Sequence, residues 1–126
     1  MAGRVVHFEI PADDVSRAQG FYEQAFGWSM SSMPGMGYTL LGTTPTDDTG
    51  MPSEPGSING GMFERVDDIA TPVIVIDVDD IDAALTTIES SGGKTVRPRE
   101  PVGTMGFAAY FTDSEGNLLG LWQTAS

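Results

Sequence analysis

The 126 residues suffice for one domain with its own core, and 40% of them are hydrophobic, as in a globular protein. Eighteen acidic residues against six basic ones give a net charge of −12, which would repel nucleic acid, and no basic cluster opposes this field. The chain has no apolar run near the ~18 residues of a membrane span, no signal-peptide pattern and no cysteine, so we expect a cytoplasmic protein with no membrane partner and no thiolate chemistry.

The first half of the chain predicts one strand, one helix and three further strands. Val5–Ile10 alternates apolar and polar side chains and ends before Pro11, which is typical of a strand. Apolar residues then recur at helical spacing between an N-cap at Asp13 or Asp14 and a stop at Gly27. The remaining elements are two strands joined through Pro34-Gly35, a long irregular segment and a short strand: Trp28–Met33, Tyr38–Gly42, Thr43–Ser57 and Ile58–Phe63.

The second half predicts the same order of elements. Pro72–Val78 is a nearly continuous β-branched run, which favours a central strand buried on both faces. Asp79 or Asp80 caps a helix that stops at Gly92-Gly93. Three strands complete this half: Lys94–Arg97, Phe107–Thr112 and Leu118–Gln123.

A faint internal duplication joins the two halves. His7–Trp28, moved forward by 66 positions, falls on Val73–Lys94 with five identities. Each copy is also predicted as a strand followed by a capped helix, so we interpret the chain as a structural repeat. The identical pairs are Asp13/Asp79, Asp14/Asp80, Ala18/Ala84, Glu23/Glu89 and Gly27/Gly93.

The repeat predicts an α+β fold made of two βαβββ modules, in about residues 1–66 and 67–126 of a single domain. Two helices cannot cover both faces of eight strands. We therefore expect a curled, eight-stranded mixed sheet with the helices on its outer face and an open cup on the other face, where a ligand would bind.

Several segments resemble the vicinal oxygen chelate superfamily, which includes glyoxalase I, resistance proteins of the bleomycin type and extradiol dioxygenases. The segments are HFEIPADD, FYEQAFGW, VDDIDAAL and DSEGNLLGLWQ, and the match covers nearly the whole chain. The chain is most similar to a small glyoxalase-like branch with ING-G near mid-chain and GLWQ at the end. Members of this superfamily differ in chemistry, so the resemblance implies a fold more than a function. It also implies a homodimer, because a second chain completes or borders the cup in relatives.

In metal-using relatives, the first and last strands of each module supply four metal ligands. The resemblance places these positions at His7, Val73, Gly60 and Gly120, with Asn59 replacing Gly60 if the register slips by one. A divalent metal needs at least three nitrogen or oxygen donors, and valine and glycine offer none through a side chain. We therefore expect no metal cofactor; the alternative is a divalent metal at His7 completed by backbone, water or a partner chain.

His7 is the only histidine in the chain. Strand alternation places His7 and Glu9 on one face and Phe8 and Ile10 on the face toward the helix. His7 is thus a candidate general base, and Glu9 its partner or the binder of a cationic group. The alternative is a hydrogen-bonded histidine without chemistry.

Glycines and aromatic residues complete the expected ligand site. Gly60 and Gly120 either widen the cup or form bulges. Tyr38, Phe107 and Trp122 either form an aromatic wall or belong to the core. The full set of expected ligand-binding residues is His7, Tyr38, Asn59, Gly60, Val73, Phe107, Gly120 and Trp122.

The sequence thus predicts a glyoxalase-like protein that binds a small molecule, or a metal-independent enzyme of unknown substrate. One alternative is a metal-dependent lyase, isomerase or dioxygenase that uses His7. Another is an antibiotic-sequestering protein, for which the acidity would suit a cationic drug. Whether the chain catalyses any reaction stays open at this point.

Overall fold

The computed structural model of the chain describes residues 2–125, which form eight strands and two helices in the order βαβββ repeated twice. This arrangement confirms the α+β class and the two βαβββ modules. The first module contains β1 (Arg4–Ala12), α1 (Val15–Phe26), β2 (Ser29–Met33), β3 (Tyr38–Gly42) and β4 (Gly60–Glu64). The second contains β5 (Val73–Asp77), α2 (Ile81–Ser90), β6 (Lys94–Val102), β7 (Gly106–Thr112) and β8 (Leu118–Thr124).

The described chain divides into two compact units. One unit comprises residues 7–72, and the other comprises residues 2–6 together with residues 73–125. The first unit therefore ends at Pro72, a few residues beyond the boundary near residue 66 that the duplication predicts. From here on we call the unit of residues 7–72, which contains β1 from His7 onward, the first module and the other unit the second module.

In the first module, the strands lie in the order β2-β3-β4-β1, with β4 parallel to β1 and the other pairs antiparallel. The side chain of Asp14 caps α1 by accepting the backbone N–H of Arg17 at 3.0 Å. Gly27 ends the helix in the left-handed conformation, with φ of 72°, which explains the glycine at this position. Both helix signals in the sequence are confirmed.

The core of the first module lies between the sheet and α1. Its buried centre is Ala12, Leu41 and Met62. No residue of α1 is itself buried, and Phe21 and Phe26 are 59% and 63% exposed. The partly buried residues packed against the centre come from β1, α1 and the start of β2: Phe8, Ile10, Val15, Ala18, Tyr22, Trp28 and Met30.

In the second module, the strands lie in the order β5-β8-β7-β6, with β5 parallel to β8. Asp80 caps α2 by accepting the backbone N–H of Ala83, and Gln123 accepts the N–H of Ile81 at 2.8 Å. The buried core on the α2 side is Ile81, Leu85, Ala109, Phe111 and Leu121.

The expectation that β5 is buried on both faces is wrong. Val73 and Val75 are buried, but Ile74 between them is 51% exposed. The reason is that the core cluster beneath α2 includes Ile76 but not Ile74.

Within residues 2–125, neither helix has the length and hydropathy needed to cross a membrane.

Candidate functional site

His7 and Glu9 lie on the face of the first-module sheet opposite α1. The residues that alternate with them on β1, Phe8 and Ile10, pack into the cluster beneath α1. The predicted alternation of β1 is therefore confirmed. His7 is half-buried, and Glu9 is 8% exposed.

Tyr38 at the start of β3 brings these two side chains into one hydrogen-bonded triad. Its hydroxyl donates to Oε2 of Glu9 at 2.9 Å and lies 2.8 Å from Nε2 of His7. Because a phenol has one proton, and that proton points at Glu9, the hydroxyl accepts from His7. The direction of donation is thus from His7 to Tyr38 to Glu9. The sequence predicted each member of this triad but not their connection.

The charge state of His7 follows from its burial. Desolvation by the surrounding residues lowers its pKa from the ordinary value of 6.5, because burial disfavours the charged imidazolium. His7 is therefore neutral near pH 7. A neutral imidazole has one N–H donor and one nitrogen with a free lone pair, as a general base or hydrogen-bond acceptor requires.

Gly61 makes room for the triad. It lies beside Glu9 in the parallel pair of β1 and β4 and beside Leu40 in the antiparallel pair of β3 and β4. A Cβ atom at this position would overlap the end of the Tyr38 ring, so only glycine lets the phenol lie across β4. The sequence did not distinguish Gly61 from Gly60, because both are glycines within the same predicted strand.

Phe63 extends the same face and was also missed. It lies opposite Tyr38 in the register of β3 and β4, and the two rings are nearly parallel, with centroids 6.3 Å apart. Its position two residues after Gly61, at the spacing that places side chains on one face of a strand, was the signal available in the sequence. We call the surface of His7, Glu9, Tyr38, Gly61 and Phe63 the triad face.

The expectation that Gly60 shares the face of His7 is wrong. Gly60 lies opposite Phe8 in the register of β1 and β4, and a Cβ atom there would come within 2.5 Å of Cζ of the Phe8 ring. Because Phe8 packs beneath α1, Gly60 belongs to the core side of the sheet. The side chain missing at Gly60 therefore accommodates a core ring.

Asn59 has a local role in the chain path. Its Oδ1 accepts the backbone N–H groups of Thr43 at 2.8 Å and Thr44 at 3.1 Å. This amide therefore fastens the start of the irregular segment to its end, and its carbonyl oxygen is already used by two backbone donors.

Val73 and Gly120 lie together in the second module, on the sheet face opposite α2. A Cβ atom at Gly120 would stand 3.4 Å from Cγ1 of Val73, 3.3 Å from Cγ2 of Val75 and 3.5 Å from Cε2 of Tyr110. Tyr110, which pairs with Gly120 across β7 and β8, was not singled out from the sequence. The aromatic ring nearest this glycine is thus Tyr110.

Of the two alternatives for Phe107 and Trp122, an aromatic wall or a place in the core, the wall is not formed. Phe107 packs against the α2 core, with the Arg99 guanidinium 4.7 Å from its ring centroid. Trp122 lies opposite Ala108, so it shares the face of Gly120 and not that of Phe107. The indole N–H of Trp122 donates to Oγ1 of Thr124 at 3.1 Å.

The side chains at the four positions implied by the resemblance do not fit a divalent metal. His7 is the only donor among them, Gly60 faces the Phe8 ring, and the surroundings of Gly120 are two valines and a tyrosine. Across residues 2–125, no three His, Asp or Glu side chains are grouped closely enough to hold a metal ion. Asn59 cannot replace Gly60 as a free donor, because its oxygen accepts two backbone N–H groups.

A shallow cavity of about 180 Å³ lies elsewhere in the first module, beside the first turn of α1. Asp13, Asp14, Arg17 and Arg65 contribute its charged groups, and Arg65 donates to Asp13 at 2.8 Å. None of the triad residues lines this cavity. The triad and this cavity are therefore at separate places in the first module.

Comparisons with known proteins agree with this fold. A family model described as bleomycin resistance protein-like N-terminal matches residues 4–44. A glyoxylase-like domain-containing protein of Didymella fabae is 31% identical over 120 residues, which cover 91% of this chain and 89% of that protein. CFP32 of Mycobacterium tuberculosis, whose name assigns it provisionally to the glyoxylases, is 29% identical over 122 residues, and this chain spans 43% of its length.

The fold is also that of a variant of Streptomyces coelicolor methylmalonyl-CoA epimerase solved in complex with 2-nitronate-propionyl-CoA. That structure has a TM-score of 0.67 and 18% sequence identity, with the whole of both chains covered. The 31% identity to the Didymella fabae protein, together with this fold, shows that the chain belongs to the vicinal oxygen chelate superfamily. Within it, the chain is a glyoxalase-like protein, and its residues 4–44 are similar to the bleomycin resistance family.

Proposed function

We propose that this protein binds a small organic molecule on the triad face of the first module, and that it does so without a metal ion. The observation that carries the proposal is the triad itself, in which a neutral histidine and a buried carboxylate meet at one phenol hydroxyl. Such convergent polar groups beside aromatic rings are typical of small-molecule sites. Phe63, stacked on Tyr38, supplies an apolar surface next to them.

The donor set supports binding without a metal. Catalytic metal sites in proteins use three or more side-chain ligands, and the superfamily positions provide only His7 here. The Nε2–H of His7 is also committed to Tyr38. The triad would therefore contact the ligand directly through His7, by a hydrogen bond.

A second candidate function is sequestration of a cationic drug. Residues 7–72 contain ten acidic side chains and two basic ones, Arg17 and Arg65, which gives this module a net charge of −8. A negative field of this size raises the local concentration of cations. The match to the bleomycin resistance family model over residues 4–44 points in the same direction.

One set of measurements tests both candidates. Protein purified without chelators is analysed for metals and then screened against metabolites, bleomycin and methylmalonyl-CoA by thermal shift. We expect no stoichiometric metal, and we expect hits whose stabilisation is lost in Tyr38→Phe and His7→Ala. The exposed Phe21 on α1 provides the control, because Phe21→Ala lies away from the triad face and should leave the hits unchanged.

The fate of a hit separates the two candidates. Recovery of bleomycin unaltered after tight binding supports sequestration, whereas conversion of a bound metabolite supports an enzyme. About one metal ion per chain that is lost in His7→Ala would contradict the metal-free proposal. Hits that stabilise Tyr38→Phe, His7→Ala and the unmodified protein equally would place the site elsewhere.

A further inference from the structure

The triad determines which nitrogen of His7 carries the proton. The Tyr38 hydroxyl has one hydrogen, which it donates to Glu9, so its contact with Nε2 requires an N–H on that nitrogen. A neutral imidazole has a single N–H, and burial keeps His7 neutral near pH 7. The lone pair of His7 is therefore on Nδ1.

This lone pair is available to a bound molecule. Within residues 2–125, His7 makes its one hydrogen bond through Nε2, so Nδ1 accepts none. In the same residues, the enclosed side-chain polar atom that lacks a hydrogen-bond partner is Oγ1 of Thr44. Nδ1 is therefore not fully enclosed by the described residues.

We propose that His7 is a general base that acts through Nδ1, and that Tyr38 and Glu9 are positioning residues that fix its tautomer. This inference rests on the proposed function, because it names how the same site would act on its ligand. The ligand class is a molecule that presents an acidic proton to Nδ1. In the step itself, the bond from that proton to the ligand breaks, its electron pair stays on the ligand, and a new N–H bond forms at Nδ1.

The arrangement supports the charged product of this step. The imidazolium keeps its Nε2–H donated to Tyr38, and the Tyr38 hydroxyl stays donated to Glu9. The Tyr38 hydroxyl, because it donates to Glu9, is a stronger acceptor for the Nε2–H of the imidazolium. Glu9 itself is too enclosed to be the primary base, because it is 8% exposed and already accepts the Tyr38 hydroxyl.

Because His7 is the only histidine, its tautomer can be measured directly. In protein labelled with ¹⁵N-histidine, nitrogen NMR near neutral pH should show one imidazole with the proton on Nε2. Glu9→Gln keeps an oxygen acceptor for Tyr38 and should retain this tautomer. Glu9→Leu removes the acceptor, so Tyr38 should donate to Nε2 and move the His7 proton to Nδ1.

A chemical probe measures whether the lone pair can react. Diethyl pyrocarbonate acylates an unprotonated imidazole nitrogen, and mass spectrometry of the His7 peptide gives the rate. We expect modification of the unmodified protein and of Glu9→Gln at similar rates, and a rate lower by several-fold in Glu9→Leu.

Two results would overturn the inference: an Nδ1–H tautomer in the unmodified protein, or no acylation of His7 in its folded state. Both measurements stand even where Glu9→Leu fails to fold. Neither needs a ligand, so failure here is distinct from failure of the binding proposal. If a ligand still binds but His7 carries its proton on Nδ1, the binding proposal stands and the general-base role of His7 is excluded.

Discussion

Tyr38 lies across Gly61, with the end of its phenol ring in the space that a side chain at position 61 would fill. The two residues come from neighbouring strands, β3 and β4, and the hydroxyl beyond Gly61 reaches the two polar side chains of β1. The geometry of the triad therefore depends on a residue that has no functional group.

Gly61→Ala should disconnect the triad without unfolding the protein. The methyl group would displace the Tyr38 ring, which is cheap because the atoms it meets are at the far end of a flexible side chain. We expect a folded protein in which His7 no longer gives a hydrogen-bonded Nε2–H signal in NMR spectra. Unchanged His7 signals would show that Tyr38 accommodates the methyl group in place.

Gly60→Ala is the matched control and should behave in the opposite way. The added methyl group meets the Phe8 ring, which is held in the core beneath α1 and next to Trp28. Overpacking of this kind costs about 1–3 kcal/mol of unfolding free energy. Urea denaturation should show that loss, while the His7 signals stay as in the unmodified protein. Equal stability of the two alanine variants would contradict the assignment of faces on β4.

Gly120→Ala should be tolerated, and Gly106→Ala should not. At Gly120 the new methyl group meets side-chain atoms at 3.3–3.5 Å, which can move slightly. At Gly106 it meets the backbone oxygen of Gln123 and the Trp122 ring, and the backbone oxygen cannot move without distorting the pairing of β7 and β8. Denaturation curves should place Gly120→Ala near the unmodified protein and Gly106→Ala well below it. Gly120→Leu, which overfills the space beside Val73 and Val75, should cost about 1–3 kcal/mol.

Asn59→Ala should loosen the irregular segment between β3 and β4. The change removes the acceptor for the N–H groups of Thr43 and Thr44, and leaving partly buried donors unpaired costs about 1–3 kcal/mol. Limited proteolysis should show faster cleavage within residues 43–57. Asn59→Asp, which keeps an oxygen at the same place, serves as the control. Cleavage at the same rate in both variants would mean that this amide does not hold the segment.

The free energy of unfolding should decrease as the pH is lowered through a range that is set by the pKa of His7. Its pKa is lower in the folded protein than the ordinary 6.5, so the unfolded chain binds its proton first as the pH drops. The contribution of His7 is therefore complete above about pH 6.5 and declines as the pH falls from there toward the folded pKa. Urea denaturation between about pH 7.5 and pH 5.5 should show this decline, and His7→Asn should flatten it. An identical slope in both proteins would show that His7 titrates alike in the folded and unfolded states.

Aspartates act in a separate, more acidic window. A hydrogen bond from Thr49 lowers the pKa of Asp47, and the backbone N–H of Asn117 lowers that of Asp113. Their contributions are complete above the ordinary value of 3.8 and are lost only as the pH falls through the folded values. The His7→Asn comparison above pH 5 is therefore free of them.

The sequence predicted the elements and three of the five residues of the triad face for identifiable physical reasons. Alternation along β1 is legible because Phe8 and Ile10 are apolar, and this placed His7 and Glu9 correctly. The helix caps at Asp14 and Asp80 are local hydrogen bonds between residues three apart, which spacing alone reveals.

The wrong predictions concern residues for which the pairing register of the strands decides the sheet face on which they lie. Gly60 and Gly61 have no side chains, so alternation through them cannot be read, and a shift by one residue exchanges the two faces. A difference of one residue likewise places Phe107 and Trp122 on opposite faces of the sheet, because Trp122 pairs with Ala108 and not with Phe107. The link of Tyr38 to His7 spans 31 residues and requires the order β3-β4-β1, which local patterns do not specify.

The two tryptophans of the chain stand one in each module. Trp28 stacks on Tyr22 with ring centroids 4.8 Å apart, whereas Trp122 lies against Gly106 in the second module. Each indole is thus a fluorophore with its own surroundings. Trp28→Phe and Trp122→Phe would each leave a single tryptophan, so the thermal unfolding of the two halves of this duplicated chain can be followed separately by tryptophan fluorescence.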